Sequence, residues 1–163
     1  MAELSGTVAE ELANYYEYVG EGVHEWVDPL SQEAFWHNPY PYGNSVGHLI
    51  LHLTGNLRYY IGARIANTGY VRHRDLEFTD SQRLPKEKVL REFDRTIEMV
   101  IATIRKQSPV DWAAEYSAER EPEAKNRFAA FLRCAGHAYH HVGQIIFLSK
   151  ELAREAGSKA ASR

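Results

Sequence analysis

Apolar residues recur at three- and four-residue spacing through four separate stretches of this chain. That period commits each stretch to an α-helix with one face turned inward. The cleanest runs over Val89, Phe93, Ile97, Val100, Ile101 and Ile104; Pro85 suits its first turn, and Gln107-Ser108-Pro109 breaks it. A first stretch spans Leu4 to about Trp26 on Val8, Leu12, Tyr15 or Tyr16, Val19 and Val23, with Gly20 and Gly22 weakening its second half. A second starts from a cap at Asn44 or Ser45, carries Val46, Leu49, Ile50, Leu53, Leu57, Tyr60 and Ile61, and ends near Ala66, where Asn67-Thr68-Gly69 stops it. The last runs from near Asn126 to about Ala156. Residues 31–36 suit one short helical turn before the Pro39-Tyr40-Pro41-Tyr42-Gly43 loop. Residues 70–84 and 110–125 lack periodicity and read as connections, the first long enough for a crossover. No strand pattern or internal repeat competes. The expected fold class is all-α, a four-helix bundle.

Length and charge narrow the possibilities further. A chain of 163 residues with 44% hydrophobic content has the size of one ordinary domain, expected over residues 1–156 with 157–163 as a flexible tail. The net charge of −3 comes from interspersed acids and bases, so there is no basic block of the kind nucleic-acid binders carry. A single cysteine, Cys134, excludes an intrachain disulfide. The start Met1-Ala2-Glu3-Leu4-Ser5 lacks the basic-then-apolar layout of a secretory signal, and no apolar run approaches the ~18–20 residues that cross a bilayer. A cytoplasmic protein without a membrane or nucleic-acid partner is expected.

Two stretches set histidines at i, i+4 inside apolar surroundings: His48 and His52 in Asn44–Leu57, and His137 and His141 in Arg133–Ile145. Such spacing stacks two imidazoles on one helix face, where both reach one small object. A divalent metal ion is the leading candidate, because imidazole is a common ligand and apolar surroundings penalise unpartnered polar rings. The competing role is a hydrogen-bonded core histidine. Helical-wheel arithmetic at about 100° per residue separates them. His137 and His141 share a stripe with Ala130, Cys134, Ile145, Leu148 and Leu152, while His140 turns outward. A second stripe of Phe128, Phe131, Ala135, Val142 and Ile146 implies burial on two sides, one reason to expect a homodimer. His52 falls beside Leu49 and Asn56 at the edge of the apolar stripe, and His48 lies farther round with Gly55 and Tyr59, so His52 is the better third ligand. Three imidazoles leave a fourth position open, as catalytic sites do. Candidates for the surrounding shell or for substrate contact are His48, Asn56, Tyr59, His140 and Gln144.

The two motifs together resemble the DinB/YfiT-like superfamily of small metalloenzymes, and the similarity in helix order and spacing spans nearly the whole chain. The match rests on Asn44–Leu57 and on His137–Ile145; the sequence departs from the pattern at His140, where tyrosine is more usual, and at Gly136, where an acid is common. The resemblance implies up-down-down-up topology with a long connection between the second and third helices. It also implies metal ligation by His52, His137 and His141, frequent dimerisation, and metal-assisted chemistry on a low-molecular-weight thiol.

Several chemistries fit this expectation. A bound ion activates a thiol for transfer to a small electrophile, or a water for hydrolysis. A non-catalytic metal- or ligand-binding stress protein is the alternative from a different class, and a purely structural set of interhelical hydrogen bonds is a third. No acid adjoins either histidine pair, unlike the H-E-x-x-H pattern, so an acid or base would come from elsewhere, with Glu10, Glu11, Glu17, Glu21 and Glu25 of the first helix available. The metal is expected to be zinc or nickel, with manganese or iron as alternatives. Trp36, Tyr40, Tyr42, Tyr59 and Tyr139 are candidates for lining an apolar pocket, although core packing is the commoner role of such residues.

Overall fold

The apolar stripes become helices whose buried faces meet in one core. A computed structural model describes residues 2–79 and 81–161. Helix α1 spans Ala2–Val27 and buries Ala13, Tyr16, Val19, Val23 and Val27. Gly20 and Gly22 do not weaken it enough to end it, because the stripe continues through both. Its carboxyl end is held from outside: the buried Lys86 ammonium donates to the carbonyls of Asp28 at 2.8 Å and Leu30 at 2.6 Å.

The short α2, Gln32–Trp36, is capped by Ser31 and buries Phe35 and Trp36. Those rings pack on α3, Val46–Leu57, at Gly47, where a Cβ would lie 2.5 Å from Trp36 Cε3. Ser45, one of the two expected caps, accepts from the backbone N–H of His48. The α-helix stops earlier than expected: Arg58–Ala63 winds as a π-helical turn before Asn67 and Gly69 take positive φ.

Both connections carry structure that aperiodic sequence conceals. The first holds a four-residue helix, α4, at Leu76–Thr79. After α5, Lys86–Arg105, the second begins with α6, Pro109–Ala113, where Ser108 and Asp111 form a capping box and Trp112 packs edge-on to Phe131. One isolated antiparallel bridge, Glu115 with Asn126, closes that segment, and no strand occurs among the described residues. Helix α7 covers Arg127–Ala161, five residues past the end expected from periodicity.

The result is all-α, built from several long packed helices. Helix α1 packs on α5 and α7, and α3 packs on the same two. The proximity of α3 to α7, with α4 laid across α3, positions the histidines. No described helix is long and apolar enough to cross a membrane.

Candidate metal centre

His52 points from α3 toward α7, where His137 and His141 come off one face a turn apart. One ring nitrogen from each of the three lies within 4.8 Å of the others. His52 Nε2 and His137 Nε2 are 3.0 Å apart, and the His137 and His141 rings stand edge to face with centroids 4.5 Å apart. His52 is buried, and the other two are half-buried.

Each end of the group has a partner that fixes a tautomer. His52 Nδ1–H donates to Glu77 Oε2 at 2.8 Å, which leaves the Nε2 lone pair facing the cluster. His141 Nδ1–H donates to Gln144 Oε1 at 2.7 Å, which leaves its Nε2 likewise. Burial, reinforced by the neighbouring rings, holds the His137 pKa down at about 3. Burial also lowers that of His141 to about 4, against the opposing hydrogen bond that the ring donates to Gln144. Both rings are therefore neutral near pH 7, the form that binds a metal.

The carboxylate behind His52 is itself held. Arg72 grips Glu77 through two contacts, Nε to Oε1 at 2.7 Å and Nη2 to Oε2 at 2.8 Å. Both side chains are buried, at 9% and 7% exposure. Burial alone would raise the Glu77 pKa, but the bonds from Arg72 and His52 outweigh it and hold it below the usual carboxylate value. A Cβ at Gly55 would overlap Glu77 Oε1, so this helix-interior glycine lets the carboxylate reach His52.

The shell candidates divide. Gln144 bonds His141 directly, and the exposed His140 touches it edge-on at 5.3 Å. His48 lies outside the three-histidine group, with its Nδ1 2.8 Å from Ser45 Oγ and its ring against Trp36. Tyr59 lines a cavity of about 560 Å³ beyond Arg72. Asn56 is buried with its Oδ1 unpaired, and no hydrogen bond among the described residues ties it to the histidines. The acid comes from an unexpected place. Glu10 and Glu17 face Arg105, and Glu11, Glu21 and Glu25 are exposed, whereas Glu77 lies in the connection that sequence read as irregular. The available signals were Gly55 inside an amphipathic helix and an acid flanked by Leu76 and Phe78.

The donors suit a divalent ion. A tetrahedral site with Zn–N near 2.0–2.1 Å needs nitrogens roughly 3.3 Å apart, comparable with the 3.0 Å between His52 and His137. Fold and site together define an all-α protein with a buried three-histidine group able to hold a metal ion. The chain belongs to the family described as protein of unknown function (DUF1572), whose model matches residues 6–159. No curated protein matches it.

Proposed function

We propose that this protein binds one divalent metal ion through His52, His137 and His141 and uses the open coordination position to activate a low-molecular-weight thiol for transfer to a small electrophile. The observation that carries the metal reading is the convergence of three imidazoles whose outer nitrogens at both ends, on His52 and His141, are already committed to Glu77 and Gln144. With those outer nitrogens committed, His52 and His141 have lone pairs to offer inward, and His137 Nε2 lies 3.0 Å from His52 Nε2, close enough to share one ion with it. Only one of these nitrogens can carry a proton between itself and a neighbour.

A bound ion would supply a Lewis acid that lowers the pKa of a thiol or a water held at its open position. The chain's own residues set the geometry. Glu77 and Arg72 hold the His52 ring, and Gln144 holds His141. In the transfer, the sulfur–carbon bond would form as the bond from that carbon to its leaving group breaks, the thiol proton passing to solvent and the leaving group departing with the electron pair. Zinc and nickel are the leading metals, since imidazole suits both. The resemblance to DinB-like proteins supports the thiol chemistry, the up-down-down-up topology and a homodimer as parts of this reading.

Elemental analysis of purified, metal-loaded protein tests the first part: one ion per chain is expected, lost in a His52→Ala, His137→Ala, His141→Ala triple variant. Substoichiometric metal in the parent would overturn it. Thiol consumption with an alkylating electrophile, abolished by chelator and restored by re-addition, tests the second. Ester hydrolysis without thiol would point to the hydrolase alternative.

A further inference from the structure

Three parallel aromatic rings stand at the surface beside α7, where Phe147 lies nearly two turns past His141. Tyr40 stacks on Tyr42 with centroids 5.6 Å apart and an interplanar angle of 17°, and on Phe147 at 5.9 Å and 12°. Phe147 is 60% exposed and Tyr42 is 73% exposed. Two large rings left in water beside a third call for an occupant, because such contiguous apolar surface is costly to hydrate.

The loop that carries two of them is built to hold its shape. Asn38 accepts from Tyr40 N–H through Oδ1 and donates through Nδ2 to the carbonyls of Tyr42 and Gly43, each at 3.1 Å. Gly43 closes the turn at φ +80. The Asn38 side chain thus spends its polar capacity on the loop and presents Tyr40 and Tyr42 toward α7.

The rings wall a cavity of about 540 Å³, within the range that accepts a small organic molecule. The buried Leu49 and Leu148 also line it, so the lining is mainly apolar. Gly143 opens it: a Cβ there would meet nothing within 4 Å. One polar group is defined by what it has already bonded. Gln144 Oε1 accepts from His141, so its amide nitrogen is the donor left for the cavity. A donor beside the histidine group and flat apolar walls farther out select a ligand with an oxygen acceptor at one end and a flat ring at the other.

We propose that this cavity binds a small aromatic carbonyl compound, its ring stacked along Tyr40 and Phe147 and its oxygen facing the amide of Gln144, the side chain that also holds His141. The site names a substrate class for the reaction proposed above and rests on that reading for the role of the oxygen, but the binding itself is separable from it.

The test titrates acetophenone and its saturated counterpart cyclohexyl methyl ketone into zinc-loaded and metal-free protein, followed by saturation-transfer NMR and equilibrium dialysis. Acetophenone should bind about three- to tenfold more tightly than the saturated ketone, the size expected of ring stacking. Phe147→Ala should erase that preference. Gly143→Leu fills the cavity at a helical position where a side chain is tolerated, so it should abolish acetophenone binding without loss of melting temperature or metal stoichiometry. Equal affinity for the two ketones, or unchanged binding to Gly143→Leu, overturns the proposal. Failure of the metal reading shows up separately, as acetophenone binding that persists in a protein holding no stoichiometric zinc.

Discussion

Two histidines in this molecule meet carboxylates at nearly the same distances, and only one of them is equipped to hold a ligand. His52 Nδ1 lies 2.8 Å from Glu77, and His24 Nε2 lies 2.7 Å from Asp94. The difference lies in the second nitrogen and in the burial. His24 Nδ1 is also taken, at 3.0 Å from Asp28, so the ring bridges α1 to α5 with nothing left over. His52 keeps Nε2 for His137 and His141. The His24 carboxylates are 60% and 39% exposed, while Glu77 is 7% exposed. Of the two contacts, only that of His52 withholds one ring nitrogen and has its carboxylate locked from behind, as a carboxylate that orients a metal-binding histidine would be.

The largest test of that contrast is ligand removal. His52→Ala should weaken zinc or nickel binding by more than about 100-fold, beyond the range typical of outer partners, whereas His24→Ala should leave the affinity unchanged. Competition with a chromophoric chelator measures both. Equal affinities in the two variants would erase the distinction between the sites.

The lock comes next. Glu77→Leu removes the carboxylate that orients His52 and leaves Arg72 without its partner. An unpaired buried guanidinium costs about 3–5 kcal/mol, and loss of the outer partner should lower metal affinity about 10- to 100-fold. Urea unfolding reads the first effect and chelator competition the second. The double variant Glu77→Leu, Arg72→Met should recover most of the stability and none of the affinity. If affinity returned too, the carboxylate would have no orienting role.

The lock was also the part of the site least legible in the sequence. His52, His137 and His141 could be read because helical period projects each residue to an angle, and the structure brings these three together. Gln144 followed from its place one turn from His140. Glu77 and Arg72 lie in a segment without period, where position depends on long-range docking against α3 rather than on local repeat. The same limit hid α6, whose capping box is a local signal at the start of a stretch that lacks periodicity. Gly20 and Gly22 did not break the helix expected to about Trp26, which ends at Val27, since intrinsic propensity of about 1 kcal/mol per glycine yields to a buried stripe. The π-helical turn at Arg58–Ala63 left no periodic signature, because one extra residue per turn is too brief to register.

A finer test of the lock uses Gly55, where the change touches neither partner. Gly55→Ala places a methyl where Glu77 Oε1 sits, and Glu77 cannot yield freely because Arg72 and His52 hold it from two sides. Overpacking of this kind costs about 1–3 kcal/mol, and metal affinity should fall by about tenfold as Glu77 is displaced. Gly136→Ala, where a Cβ meets nothing within 4 Å, is the matched control. A Gly55→Ala protein with parental metal affinity would mean that the carboxylate tolerates displacement.

The effect that separates the two histidine environments by sign is pH. In metal-free protein the His137 and His141 pKa values are held at about 3 and about 4, below the ordinary 6.5. The unfolded chain therefore takes up protons that the folded chain refuses, and stability falls as pH drops from 6.5 toward those values. For His24, burial opposes protonation, but the hydrogen bonds to Asp94 and Asp28 outweigh it and raise the pKa above 6.5. The folded state then keeps a proton that the unfolded state releases, so this contribution is fully present below 6.5 and is lost as pH rises through the raised folded value. Because His24 and its partners are more than a third exposed, solvent screening should keep its contribution under about 1 kcal/mol. Unfolding curves of metal-free protein from about pH 4 to about pH 8 resolve the two. His137→Gln with His141→Gln should flatten the acid side, and His24→Gln should remove only the loss near neutrality. Added zinc should raise stability wherever it binds and leave the His24 step unchanged, because both nitrogens of that ring are already bonded.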